Sequence, residues 1–256
     1  SSSMVDLYPQ PLDVHCRRVF REAARLGRIY DLPESKFWRG KAGVDISTRF
    51  HGHPVSTPLG SAAGPQNQLV QNIVLTWLAG GRAIELKTVQ VDDALVIKRP
   101  CIDAHTVSWN IEWSQELRVP ASLREYVGAH LLIHMLREAD VLGLASVPNE
   151  TVLDLSIGYD LKGIQSPKVR GFLESSLHAR PVLDELIAGL EPELRRLADK
   201  AAVPERLSDS ITISTFHGCP ASEIEAICEF LLAEMGFHTV VKMNPPLLGR
   251  DRLEQI

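Results

Sequence analysis

Five short runs of small and β-branched residues, most of them separated from the next by a helical stretch, constrain this chain more than any other feature. The runs are Pro58 to Ala62, Ala83 to Val89, Val152 to Ile157, Ser210 to Ser214 and Thr239 to Met243. Strands that alternate with helices join through right-handed crossovers into a parallel sheet, and the composition of the runs predicts burial on both faces. Asn67 to Leu78, Leu123 to Leu142, Pro181 to Lys200 and Pro220 to Met235 carry the apolar and charged faces of helices packed outside such a sheet. The expected fold is α/β, a partial (β/α)8 TIM barrel truncated after about the fifth strand, since eight units would need three more.

Ahead of the first run, Leu12, Val19, Phe20 and Ala23 recur at helical spacing, which predicts an amphipathic lead-in helix from Pro11 to Arg28. Gly43 to Gly60 alternates and then meets Gly52, Pro54 and Pro58, the punctuation of a hairpin. Residues 1–42 are therefore expected to hold tag residues, Ser1-Ser2-Ser3 before Met4, and the lead-in helix. Residues 43–256 are expected to form the partial barrel with its N-terminal hairpin. The segment from Gln90 to Leu117 has no clear period and is long for a simple connection, as loops that carry barrel chemistry often are.

Composition narrows the function classes. With 32 acidic against 27 basic residues and a net charge of -5, the chain has no electrostatic reason to approach nucleic acid or an anionic membrane. No apolar stretch is long enough to span a bilayer and no secretion signal opens the chain, so a cytoplasmic location is expected. Cys16, Cys101, Cys219 and Cys228 lack paired spacing, which argues against disulfides, zinc or an iron-sulfur cluster here, and the remaining histidines show no ligand spacing. No metal site is expected.

The chemistry-bearing residues fall at the ends of the runs. Ala62-Ala63-Gly64 ends the first with almost no side chain, leaving room for a flat ring or a phosphate against the backbone, or simply a tightly packed strand end. Lys87-Thr88 ends the second and Lys242 the fifth, at what would be the active face of a barrel. Ser156 and Tyr159 end the third, where strand packing explains them equally well. In His217-Gly218-Cys219-Pro220, Pro220 suits the first helical position, which would make Cys219 the N-cap, with its thiol acidified by the helix terminus.

Asp45 to Pro54, Thr57-Pro58-Leu59-Gly60, Glu85-Leu86-Lys87-Thr88-Val89 and Val240-Val241-Lys242-Met243-Asn244-Pro245 together resemble the dihydroorotate and dihydropyrimidine dehydrogenase barrels. That resemblance implies FMN as cofactor, with Ala62, Ala63 and Gly64 facing it, Lys87, Thr88 and Lys242 contacting it, and Asn110 near flavin and substrate. It also implies that Cys219 is the catalytic acid/base, although the asparagine those enzymes place before this cysteine is replaced by Ser214, Thr215 and Phe216. Ala63-Gly64-Pro65, Gly80-Gly81-Arg82, Pro100-Cys101-Ile102-Asp103 and His217 to Pro220 further resemble the YgfK-like proteins, which carry the name selenate reductase subunits after a proposed role. In that family the barrel opens a longer polypeptide. The expected function is thus the N-terminal flavin-dependent oxidoreductase module of an electron-transfer enzyme acting on a small heterocyclic or related substrate. Its implied partners are the family's iron-sulfur and FAD/NAD(P)H modules and a molybdenum-enzyme subunit. The alternative is a degenerate barrel without flavin that docks in a redox complex.

Overall fold

Alternation within the strands decides how this chain layers. In a computed structural model, which describes residues 7–92, 102–103, 109–110, 116–215, 218–243 and 249–255, the lead-in helix α1 (Leu12–Leu26) ends at Gly27 in the left-handed conformation. Two small antiparallel pairs follow: β1 (Arg28–Ile29) with β2 (Leu32–Pro33), and the hairpin β3 (Thr48–Phe50) with β4 (His53–Val55). The hairpin turns at His51 and Gly52, both at positive φ. Then come α2 (Val70–Leu78), β5 (Ala83–Glu85), the ribbon of β6 (Ile102–Asp103) and β7 (Trp109–Asn110), α3 (Val119–Glu138) and β8 (Val152–Ile157). Helices α4 (Leu161–Ile164), α5 (Pro167–Leu177), α6 (Arg180–Ala188) and α7 (Pro192–Lys200) lead to β9 (Ser210–Ile213), α8 (Ala221–Glu229), β10 (His238–Val241) and α9 (Arg250–Leu253).

The central sheet is parallel, in the order β10-β9-β8-β5. Residues 58–62, predicted as a strand, form no regular ladder but do run beside β5. The amides of Arg82 and Ala83 donate to the Leu59 carbonyl at 2.8 and 3.1 Å, and that of Glu85 to Ser61 at 3.1 Å. The backbones come this close because Gly60 lacks a side chain: a Cβ there would lie 1.5 Å from the Ala83 carbonyl oxygen. Five consecutive segments therefore lie side by side in chain order, as in the wall of a barrel; a closed barrel is not seen among the described residues.

Both faces of β8 and β9 are buried, as expected, but they differ in chemistry. Ile84, Leu86, Leu153, Leu155, Ile157, Ile211 and Ile213 join the helices in one core with Ile73, Trp77, Leu132 and Met135. Strand periodicity turns Glu85, Asp154, Ser156, Ser210 and Thr212 to the opposite, inner face. At the lower end, Arg82 is fully buried between Trp38 and Trp77, its guanidinium carbon 5.1 and 4.6 Å from the two rings. It donates to the carbonyls of Pro148, Trp77 and Gly81.

Several predicted boundaries move. One helix over residues 181–200 becomes α6 and α7, because Pro192 starts a helix rather than continuing one. The helix predicted over residues 220–235 ends as α8 and passes into a π turn, Phe230–Glu234. The strand predicted over residues 83–89 is regular only to Glu85. Leu86 donates to Asp154 and Val89 to Ser156, so β5 carries one residue more than β8 between these bonds, a bulge at Lys87 and Thr88. Most of the segment from 90 to 117 lies outside the described residues. No described helix is long and apolar enough to cross a membrane.

Candidate functional site

The carboxyl ends of the parallel strands bring together most of the residues singled out in the sequence. The bulge supplies the first. By simple alternation Thr88 would point with Ile84 and Leu86 toward the helices; the extra residue lets its hydroxyl meet that of Ser156 on the inner face at 2.8 Å. Ser156 in turn contacts the Ser214 hydroxyl at 3.0 Å, so three hydroxyls link the ends of β5, β8 and β9. The Lys87 carbonyl, released by the bulge, accepts from the Tyr126 hydroxyl of α3 at 2.7 Å, and the Lys87 side chain is buried.

Lys242 follows β10, and its ammonium lies 2.5 Å from Oε1 of Glu85. β10 and β5 are the outer members of the four-stranded sheet, three strand spacings apart, or about 14 Å along its surface. Their side chains meet only because the sheet curls strongly toward this face. The other carboxylate oxygen of Glu85 accepts from the Ala63 amide at 3.0 Å. Asn67, buried, donates from Nδ2 to Ser61 Oγ, to the Ala62 carbonyl and to the Glu85 carbonyl at 2.8, 3.0 and 2.7 Å. Ala62, Ala63 and Gly64 are thus held from below by Glu85 and Asn67, with Ala62 exposed. Nothing local in the sequence marks Asn67 or Glu85 as functional; their role depends on which strands become neighbours.

Asp154 was also unmarked. It lies opposite Glu85 in the ladder and accepts from Ser210 and Thr212 at 2.5 Å each. Burial pushes its carboxyl up to about 6; the two hydroxyl bonds and Lys242 oppose that rise, and Glu85 adds to it. A buried carboxyl titrating near neutrality beside a second carboxylate and an ammonium is a common feature of reactive sites.

Cys219 is half-buried at the same end, its thiol 3.9 Å from the Tyr159 carbonyl. The N-cap of α8 is Pro220, not Cys219, so the cysteine stands one residue outside the cap. Tyr159 adopts φ +134, a strained backbone of the kind that collects at functional sites, and a hydrogen bond to Asp92 raises its hydroxyl pKa. Glu223 of α8 accepts from the Leu161 amide at 3.0 Å, fixing the loop that carries Cys219 against the end of β8. Asn110 lies in the β6-β7 ribbon, its side chain outside the described residues, as are His217, Asn244 and Cys101.

A family model described as "Oxidoreductase YgfK, N-terminal TIM-barrel domain" matches residues 30–256. The chain belongs to this family. It is 37% identical over 266 aligned positions to the Escherichia coli K12 protein named "Putative oxidoreductase YgfK", and matches the O157:H7 protein of that name equally well. The alignment covers 97% of this chain and 25% of each relative, so the chain spans about a quarter of their length. Membership in the YgfK family agrees with the parallel, curled sheet, and makes the carboxyl ends of its strands the place to look for oxidoreductase chemistry.

Proposed function

We propose that this chain is the FMN-type oxidoreductase module of a longer electron-transfer polypeptide, acting on a small heterocyclic or related substrate at the carboxyl ends of its strands. The observation that carries the reading is the Lys242–Glu85–Ala63 connection. It places a fixed ammonium, a carboxylate and a stretch of backbone with minimal side chains at one curled surface.

The residues present fit the ring side of a flavin. Ala62, Ala63 and Gly64 would let a flat ring approach the backbone, Lys87 and Thr88 would border it, and Lys242 would offer positive charge where a reduced ring becomes anionic. Bound FMN would supply two-electron exchange with the substrate. Barrels of this kind commonly hold a ligand phosphate with the loops after strands seven and eight; the described residues contribute five segments side by side. The longer polypeptide, with its iron-sulfur and FAD/NAD(P)H modules, is therefore part of the proposal.

In this reading Cys219 gives or takes the proton at the substrate carbon, and Glu223 positions it by fastening its loop. Glu85 positions Lys242 and the Ala63 amide. The Thr88–Ser156–Ser214 hydroxyls provide orientable donors and acceptors along the floor of the site.

A second reading rests on the same ion pair. Glu85 already compensates Lys242, as it would in a barrel that binds no flavin and docks in a redox complex. The visible absorption spectrum of this chain and of the full-length polypeptide, with identification of any cofactor released on denaturation, separates the two. FMN in the longer polypeptide supports the flavoenzyme; no FMN in either protein sinks it and leaves the docking module.

A further inference from the structure

The opposite end of the sheet holds a cluster that the proposed reaction does not use. His53 opens β4 in the N-terminal hairpin, Asp209 precedes β9, and His238 is the first residue of β10. One potential ligand atom from each lies within 4.8 Å of the other two. His51, at the hairpin turn, stacks on His238 with ring centroids 5.5 Å apart and 16° between planes, and His53 meets the same ring edge-on at 5.3 Å. Three imidazoles and a carboxylate from three distant parts of the chain thus cluster at the amino ends of β9 and β10.

How these atoms face one another is informative. Nε2 of His53 is 2.9 Å from Oδ1 of Asp209, yet it has no aligned hydrogen bond among the described residues, nor has Nε2 of His51, and both atoms are shielded from solvent. The His53 nitrogen and the Asp209 oxygen thus already stand at a separation that two ligands of one ion can share. The carboxylate is held from behind: Arg206 donates to Oδ2 of Asp209 at 2.9 Å, leaving Oδ1 toward the histidines. The Asp209 carbonyl accepts the His238 amide at 2.8 Å, fixing two of the residues to each other through the backbone. This is the outer support that metal ligands commonly have.

We propose that His53, Asp209 and His238 bind a divalent transition-metal ion, with zinc the best match, and that the ion clamps the N-terminal hairpin to the amino ends of β9 and β10. Two imidazole nitrogens and one carboxylate oxygen are borderline ligands suited to zinc. Bonds of about 2.0–2.1 Å in a tetrahedron put ligand atoms about 3.3 Å apart, so small side-chain rotations suffice from the spacing observed. Water takes the fourth position, and His51 covers the site through its stack on His238. The amino end of a barrel is where stability, not catalysis, is concentrated, so the ion acts structurally.

The test uses the chain itself, stripped with a chelator, confirmed as folded by circular dichroism, and titrated calorimetrically with Zn²⁺. One equivalent should bind and raise the thermal midpoint, and His53→Gln and His238→Gln should each weaken binding by about tenfold or more. Cys219→Ala, at the far end, should leave the titration unchanged. Cobalt provides a reading that needs no variant: the folded chain with one equivalent of Co²⁺ should show the visible bands of a four-coordinate nitrogen and oxygen site. No binding by the folded chain, binding that survives both histidine changes, or a thiolate charge-transfer band would each overturn the proposal.

Discussion

The two ends of one parallel sheet are built in different ways. At the carboxyl end, the candidate residues come from short contiguous motifs, Ala62 to Gly64, Lys87-Thr88, Cys219 and Lys242, that follow the parallel segments or open the next helix. At the amino end, His51, His53, Asp209 and His238 come from a hairpin and two strand starts, and nothing in their local sequence joins them. The first end is linked mainly by inner-face hydroxyls and one carboxylate–ammonium pair; the second by rings packed against one another and a carboxylate held by Arg206. A site at strand ends inherits its spacing from the strand, so a motif can announce it. A site assembled between a hairpin and a sheet is visible only once the neighbours are known.

If the ends divide chemistry from stability, changes at each should have different readouts. The largest effect is expected from Cys219→Ala, which should lower turnover of the full-length polypeptide with its substrate by about 10²- to 10⁴-fold while flavin content holds. Undiminished turnover would remove the cysteine from the reaction.

Asp154 lies between the two ends. An unfolded chain protonates this carboxyl near 3.8 and the fold near 6, so between those values the folded state binds more protons. Stability should therefore fall as pH rises from about 4 to about 6, by roughly 2–3 kcal/mol, and stay lower above that window. Asp154→Asn should make this slope shallower in denaturant titrations at several pH values, leaving the part that Glu125, raised to about 7 by burial, contributes; equal slopes in the two proteins would show that the carboxyl is not a source.

Lys242→Met should weaken flavin retention by the longer polypeptide by roughly 10- to 100-fold, the loss of one charged contact. Flavin stoichiometry after dialysis reads this directly, and an unchanged value would favour the docking module. The smallest effect belongs to the amino end without metal. His53 is more than one-third exposed, so its pairing with Asp209 is worth less than about 1 kcal/mol. His53→Gln should barely shift the metal-free unfolding midpoint, and a large shift there would mean that the hairpin is held by the side chains alone.

Much of the architecture was legible because periodicity and punctuation are local. The parallel strands, the lead-in helix and the hairpin follow from them. Helices α4 and α5 are not read from the sequence although Asp160 caps the first and Ser166-Pro167 opens the second, because α4 is a single turn and α5 follows it after only two residues. The division of α6 from α7 was written in Pro192, which a long amphipathic pattern obscured. The bulge at Lys87-Thr88 had no signal of its own, since an extra residue shows only against its partner strand. Asn67, Glu85 and Asp154 are hidden for the same reason: a buried polar residue acquires its role from the neighbours that the fold brings beside it.

The contact at Gly60 carries this dependence to its limit. With the Ala83 carbonyl oxygen 1.5 Å from where a Cβ would stand, even alanine would push apart two neighbouring backbones. In a saturation library this position should reject every replacement while Leu59, exposed beside it, accepts many. A single intolerant letter next to a permissive one would then mark, in the variation of descendants alone, where residues 58–62 run against β5.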